Sequence, residues 1–291
     1  MQRLVLAVLL INISLAAAEE SITELAKIIA DNNAEMGVRV AAAKKLGDKG
    51  KDARLAVDAL ASAYNDFLIF QVKNKDIIEG KRQPTPEEEE RLLKTIDGIG
   101  KLYHATANAL GKIGPDAASA IPTLMKDLKQ NCAGIAGTTI LKIDPSRQIE
   151  VNEILIVGEV KRWIFLQEQL FKTARQYATT YKDLENAGRI PPSADDNTVP
   201  DWGYRFKSLA AQTERGNGGR QSFLVEGKMT KGFGFIVYPA EYGITAKTSF
   251  LVIKLNGQPV RTYSRDLGTD TSGIVAKMSE CDPDDKWVQN K

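Results

Sequence analysis

Between Gly203 and Gly268 apolar residues fall at every second position over two successive segments, a pattern that commits the chain to strands. Phe233, Phe235 and Val237 share one face of the first segment. Phe250 and Val252 share one face of the second, with Leu251, Ile253 and Leu255 on the other, so this strand is expected to be buried on both sides. Asn256-Gly257 follows directly, a hairpin signal in which both turn positions are expected at positive φ. The return strand, about 260–264, begins beside Pro259, which has no N–H to give a ladder and is therefore expected at an edge. The sheet is antiparallel, and its apolar face needs a covering layer.

That layer is expected just upstream. Ile156, Val160, Trp163, Leu170, Ala174, Tyr177, Tyr181 and Leu184 recur at helical spacing, interrupted only at Gln167. One helix from about 150 to 187, laid across the sheet, is the economical reading. Gly158 is a candidate kink near its start, and Gly188 stands where a helix C-terminus favours glycine. A Pro/Asp/Asn-rich loop, 191–200, leads into the strands. Residues 149–291 thus read as an α+β domain.

Several short motifs run through this half in order: Asn152-Glu153, Gly203-Tyr204-x-Phe206, Ala211-Gln212, Gly227-x-Met229, Gly232-Phe233, Tyr238-Pro239-Ala240-x-Tyr242-Gly243, Thr248-x-Phe250, Asp266-Leu267-Gly268-x-Asp270-Thr271 and Asp282-Pro283-Asp284 ahead of Trp287. On these residues the half resembles a family of exported bacterial proteins known only as a domain of unknown function. Its helix-then-sheet layout is also similar to pilin-like subunits, although a prepilin carries its long helix at the amino terminus. The resemblance implies export and this fold, and it assigns no reaction.

At the start of the chain Arg3 precedes an apolar run, Leu4 to Leu15, that ends in Ala16-Ala17-Ala18. A short apolar core between a charge and small residues predicts a secretory signal peptide over 1–18. The run falls short of the roughly 20 residues a membrane span needs. An exported protein, periplasmic or secreted, with no transmembrane segment in the mature chain is therefore expected.

From Ser21 the pattern is helical, opened by the capping box Ser21-x-x-Glu24 with Ile22, Leu25, Ile28 and Ile29 as the inner stripe. An internal echo follows. AKKLGDKGKDARLAVDAL at 43–60 aligns with ANALGKIGPDAASAIPTL at 107–124, matching Leu46 to Leu110, Gly47 to Gly111, Gly50 to Gly114 and Leu60 to Leu124. A third copy starts at Leu141-Lys142-Ile143-Asp144-Pro145. This is similar to HEAT-type repeats, in which helix pairs stack through small residues, and 19–148 is read as a HEAT-like helical solenoid. Residues from about 71 to 95 are expected to be an insertion or an irregular repeat. Within it 73–84 is polar, and Thr85-Pro86-Glu87-Glu88 restarts a helix with acids at the positive end of its dipole.

The chemistry-bearing residues are few. His104 is the single histidine, so a catalytic triad or a multi-histidine metal site would have to use it. Cys132 and Cys281 are the two cysteines, and in an exported chain an even count makes them a candidate disulfide. The Gly216-Asn217-Gly218-Gly219 run lacks the Lys-Ser/Thr ending of a phosphate loop and reads as a hairpin loop. Asp266, Asp270, Asp282, Asp284 and Asp285 lack the spacing of a calcium loop. Tyr238 and Tyr242 are a candidate aromatic surface for a partner. Losing Arg3 with the leader lowers the formal charge from +2 to +1, too little to draw nucleic acid.

No catalytic, cofactor or metal site is therefore assigned. The reading is a non-enzymatic exported protein: the helical repeats face a protein partner and the sheet half is a structural or docking module. The alternatives are a carboxylate-based hydrolase of unfamiliar type and a divergent pseudopilin.

Overall fold

The computed structural model describes residues 21–78, 80–131, 133–186, 198–199, 202–216, 219–284 and 286–290. The chain divides into two compact units, Met1–Lys126 with Thr138–Asp144, and Asp127–Gly137 with Pro145–Lys291.

The first unit is helical: α1 Ile22–Ala30, α2 Met36–Lys49, α3 Val57–Lys73, the short α4 Lys75–Ile78, α5 Pro86–Ile113, the first half of α6 Ile121–Asn131, and the end of α7 Gly134–Ile143. The capping box expected at Ser21 forms, and the helix start expected at Thr85 has one as well. Ser21 Oγ accepts from the Glu24 N–H at 3.2 Å, and the Ser21 N–H donates to the Glu24 carboxylate at 3.1 Å. Thr85 and Glu88 repeat the exchange at 3.2 and 2.9 Å.

Glu88 is further gripped by Arg82 at 2.7 Å. That hydrogen bond, with the Thr85 N–H next in weight, holds its carboxyl down at about 2, below the usual 4.3 or so of a free glutamate. A carboxyl depressed in the folded state contributes its stability above the unfolded value and loses it as pH falls through the folded one. A carbon-13 titration is therefore expected to place the Glu88 midpoint near 2. In Arg82→Ala the midpoint should move back towards about 4; an unchanged midpoint would contradict the assignment.

The sequence echo is a structural one. Each copy runs helix, 3₁₀ segment, helix: α2, Gly50–Ala56, α3 and then α5, Gly114–Ala120, α6. The hinge glycines adopt the same backbone, φ 55° and ψ −134° at Gly50 against φ 72° and ψ −140° at Gly114. Glycine populates positive φ without a Cβ penalty. Leu46 and Leu110, Ala53 and Ala117, Ala56 and Ala120, and Leu60 and Leu124 are all buried. Small residues set how near the copies come, for a Cβ on Gly47 would lie 3.1 Å from the Ala109 Cα. The third copy has the same order in shorter form, α7, Pro145–Arg147, then a long helix, α8, Gln148–Ala174.

In the second unit α8 lies on a six-stranded antiparallel sheet of order β1-β2-β7-β8-β9-β10. The strands are β1 Thr198–Val199, β2 Tyr204–Leu209, β7 Gly232–Pro239, β8 Thr248–Leu255, β9 Arg261–Asp266 and β10 Val288–Asn290. Two small ribbons, β3 Ala211–Gln212 with β4 Gln221–Ser222 and β5 Leu224–Val225 with β6 Lys228–Met229, sit between β2 and β7 in the chain.

Register puts Phe235 opposite Val252 and Val237 opposite Phe250, so these share the face that α8 covers. Trp163 of α8 meets Phe206 and Phe235 edge-on, centroids 5.5 and 6.1 Å apart. On the other face Ile236 stands opposite Leu251 and Leu251 opposite Tyr263. Lys207, paired with Ile236, donates to the carbonyls of Val275 and Ala276 at 2.8 and 3.0 Å, the last turn of α10, Thr271–Lys277. The two-sided burial expected of β8 is observed.

Three expectations are corrected. The helix stops at Ala174, where Arg175 takes a left-handed conformation, φ 57°, and a short α9, Tyr181–Asn186, follows. Gln167, the interruption in the apolar stripe, is buried and holds the chain that turns back: it accepts from the Ala178 N–H at 2.7 Å and donates to the Ala178 carbonyl at 3.3 Å. Gln167→Leu leaves both backbone groups unpaired in the interior, and urea unfolding is expected to register a loss of about 2 kcal/mol. Gly158 lies within the continuous helix, and Gly188 falls outside the described residues.

The second correction is the turn after β8. Only Gly257 has positive φ, 77°, and Gln258 N–H closes on the Leu255 carbonyl at 3.0 Å. Asn256 serves another purpose. Its amide donates to the Thr230 carbonyl at 2.7 Å and its oxygen accepts from Tyr177 Oη at 2.8 Å. The third is β9, which is interior because β10 returns to pair with it. Pro259 lies ahead of the strand, so its missing N–H costs no ladder bond.

Candidate interaction surfaces

In the helical unit the N-terminal half of α5 is lightly covered. Leu93 is 65% exposed and Ile96 46%. One turn on, α5 and α2 flank an open groove of about 620 Å³, with Val40, Ile96, Gly100 and Ala105 as its apolar lining and Lys44, Lys101 and His104 at its rim. Lys101 pairs with Asp97 at 2.6 Å. His104 is exposed and sits edge-on to the Tyr103 ring, centroids 5.4 Å apart. Tyr103 itself points inward, its hydroxyl 3.2 Å from that of Tyr64. Asp97 and Asn108 complete the lining, so small and branched side chains are bordered by polar groups of both charges.

The two tyrosines singled out from sequence have separate surroundings. Tyr238 pairs with Arg205 on β2 and borders a hollow of about 550 Å³ with Thr179, Lys182 and Ser208. Tyr242 donates its hydroxyl to Asp266 at 3.0 Å, a bond that raises its pKa above the ordinary phenol value. Both are anchored to the sheet.

Cys281 is a free thiol with no exposed surface, packed against Phe223 and Gly234, and burial pushes its pKa far up. Cys132 lies outside the described residues. Asp266, Asp282 and Asp284 serve local structure. Asp266 accepts from the Gly268 N–H at 2.8 Å, Asp282 from Thr213 Oγ1 at 2.8 Å, and Asp284 pairs with Arg265 at 3.1 Å. Arg265 in turn lies 6.0 Å from the Trp287 ring, which is buried. Asp285 is outside the described residues. Among those described, no group of three His, Cys, Asp or Glu side chains converges as metal ligands would. Gly216 and Gly219 close the β3–β4 ribbon, with Gly219 N–H on the Gly216 carbonyl at 3.1 Å.

Arg39 has no counterpart in the sequence reading, and Asn152-Glu153 stands there only as a motif. Arg39 is buried, donating to the Ile29 carbonyl at 2.9 Å and to Asp66 at 2.8 Å. Its place on the inner stripe of α2, three residues before Ala42, was the available signal. Asn152 and Glu153 fasten the start of α8 to the β7–β8 connection. Asn152 donates to the Thr245 carbonyl at 2.9 Å, and one Glu153 oxygen accepts from the N–H groups of Lys247 and Thr248, both at 2.9 Å.

Residues 180–289 match the family described as protein of unknown function (DUF2950). The matched segment opens at α9 and takes in nearly all of the sheet, so its aromatic pattern is that of β2, β7 and β8. It leaves out α8, with Asn152 and Glu153, and the whole helical unit. No curated protein and no solved structure matches the chain. Among the described residues no helix is long and apolar enough to cross a membrane.

Proposed function

We propose that this is an exported, non-enzymatic binding protein whose HEAT-like helical half receives a protein partner, while the pilin-like sheet half is a structural or docking module. The observation that carries this reading is the apolar groove between α2 and α5, with Leu93 and Ile96 exposed beside it. An exposed apolar patch rimmed by polar groups is the usual mark of an interaction site. The repeated helix–3₁₀–helix units support it, since stacked repeats present extended surfaces to partners. The acidic side chains described above already hold caps, turns and ion pairs, which weighs against a carboxylate hydrolase.

A photo-crosslinking residue in place of Leu93, on the helical unit, or Ile244, on the sheet unit, tests this in cells that make the protein. Both positions are well exposed. A defined adduct from position 93 is expected. Adducts from 244 alone, or from neither position, would overturn the reading.

A further inference from the structure

Resting on that reading, we propose that the α2–α5 groove takes a short segment of a partner protein in which a branched or long apolar side chain stands next to a carboxylate. The apolar part is set by the lining. Val40, Ile96 and Ala105 leave room for one large side chain, and Leu93 extends the same surface by a turn. The acidic part is set by the rim. Lys101 has its partner in Asp97, but Lys44, exposed on α2, carries no ion pair among the described residues. An anionic group seated over the groove would pair with it, and His104 offers a ring nitrogen on the same rim. Asp97 also lines the groove, but it is paired with Lys101, so the charge left for an incoming segment among the described residues is that of Lys44, and complementarity selects an acidic segment over a basic one.

Gly100 is the independent sign that space is kept here. A glycine inside a helix is about 0.5–1 kcal/mol less favourable than alanine, so such a residue usually answers to a close neighbour. Gly98, two residues earlier, has one: a Cβ there would lie 2.8 Å from the Met36 Cγ. Gly100 has none, with no atom within 4 Å of a Cβ, and its bare backbone lines the groove. Leucine at position 100 would therefore fill the groove without pressing on the fold.

The test pans a phage-displayed random dodecapeptide library against the full-length protein and measures the best synthetic peptide on wild type, Gly100→Leu and Lys44→Glu. Enriched peptides are expected to place Leu, Ile, Val or Met beside Asp or Glu. Affinity should fall at least tenfold in both variants, with unfolding temperatures at or above wild type for Gly100→Leu. Replacing the peptide's acid by lysine should weaken binding to wild type and restore it on Lys44→Glu. Enrichment of basic or uncharged peptides, no enrichment, or equal binding by Gly100→Leu would overturn the proposal. A position-93 adduct that persists in Gly100→Leu would sink the groove while leaving the binding role of the helical unit standing.

Discussion

Trp163→Ala is expected to destabilise the sheet unit by about 3–5 kcal/mol, the range for removing a buried large aromatic side chain. Trp163 is fully buried. Its ring meets Tyr181, Phe206 and Phe235 edge-on, with centroids 5.7, 5.5 and 6.1 Å away. Edge-to-face pairs add to the burial itself. One side chain thus joins α8, α9, β2 and β7, and its loss opens a cavity that no neighbouring strand can close without breaking ladder bonds. Among the described residues its indole nitrogen has no hydrogen-bond partner, so Trp163→Phe gives up area alone and is expected to cost clearly less. Urea unfolding followed by fluorescence of Trp202 and Trp287 reads both variants. A loss under about 1 kcal/mol for the alanine variant would mean the helix does not depend on this contact.

Gly232→Ala is expected to cost about 3 kcal/mol, the upper end for overpacking a well-filled interior. Gly232 opens β7 opposite Leu255 of β8. A Cβ there would meet the Lys254 carbonyl oxygen and come within 3.1 Å of the Leu255 Cα. Both are backbone atoms, so no rotamer change relieves the clash and the two central strands must move apart. The same thermal or urea measurement tests it. Near-wild-type stability would show that the pairing of β7 with β8 is looser than this register requires.

Much of the fold is legible in the sequence because two periodicities are clean. Phe233, Phe235 and Val237 at period two, and Ile156, Val160 and Trp163 at helical spacing, name the faces that meet. The repeat is legible for a different reason: the hinge conformation at Gly50 and Gly114 admits little but glycine, so the motif that makes the turn is visible in the letters. The spacing overstates the length of α8, because Tyr177, Tyr181 and Leu184 keep helical spacing after the helix has ended. They are buried by the short segment that Gln167 folds back, a contact eleven residues long in sequence that periodicity does not carry. Asn256-Gly257 spells a turn in the letters, but the Asn256 side chain is committed to Thr230 and Tyr177, far away in the chain.

The candidate site was less legible. The groove depends on how near α2 and α5 approach, which Gly47 and Ala109 decide across some sixty residues of sequence. Lys44, Gly100 and His104 are unremarkable until that approach brings them together. Tyr238 and Tyr242, chosen as aromatic residues in one loop, belong to a strand and to a turn, each with its own tether.

Native-state hydrogen exchange on the full chain probes most directly whether α8 and the sheet are one body. Amides of α8 around Trp163 and those of β7 and β8 are expected to share a single opening free energy and to lose protection together in Trp163→Phe. Amides of α8 exchanging at a markedly lower free energy than the strands, with β7 and β8 untouched by the substitution, would contradict a sheet held closed by that helix.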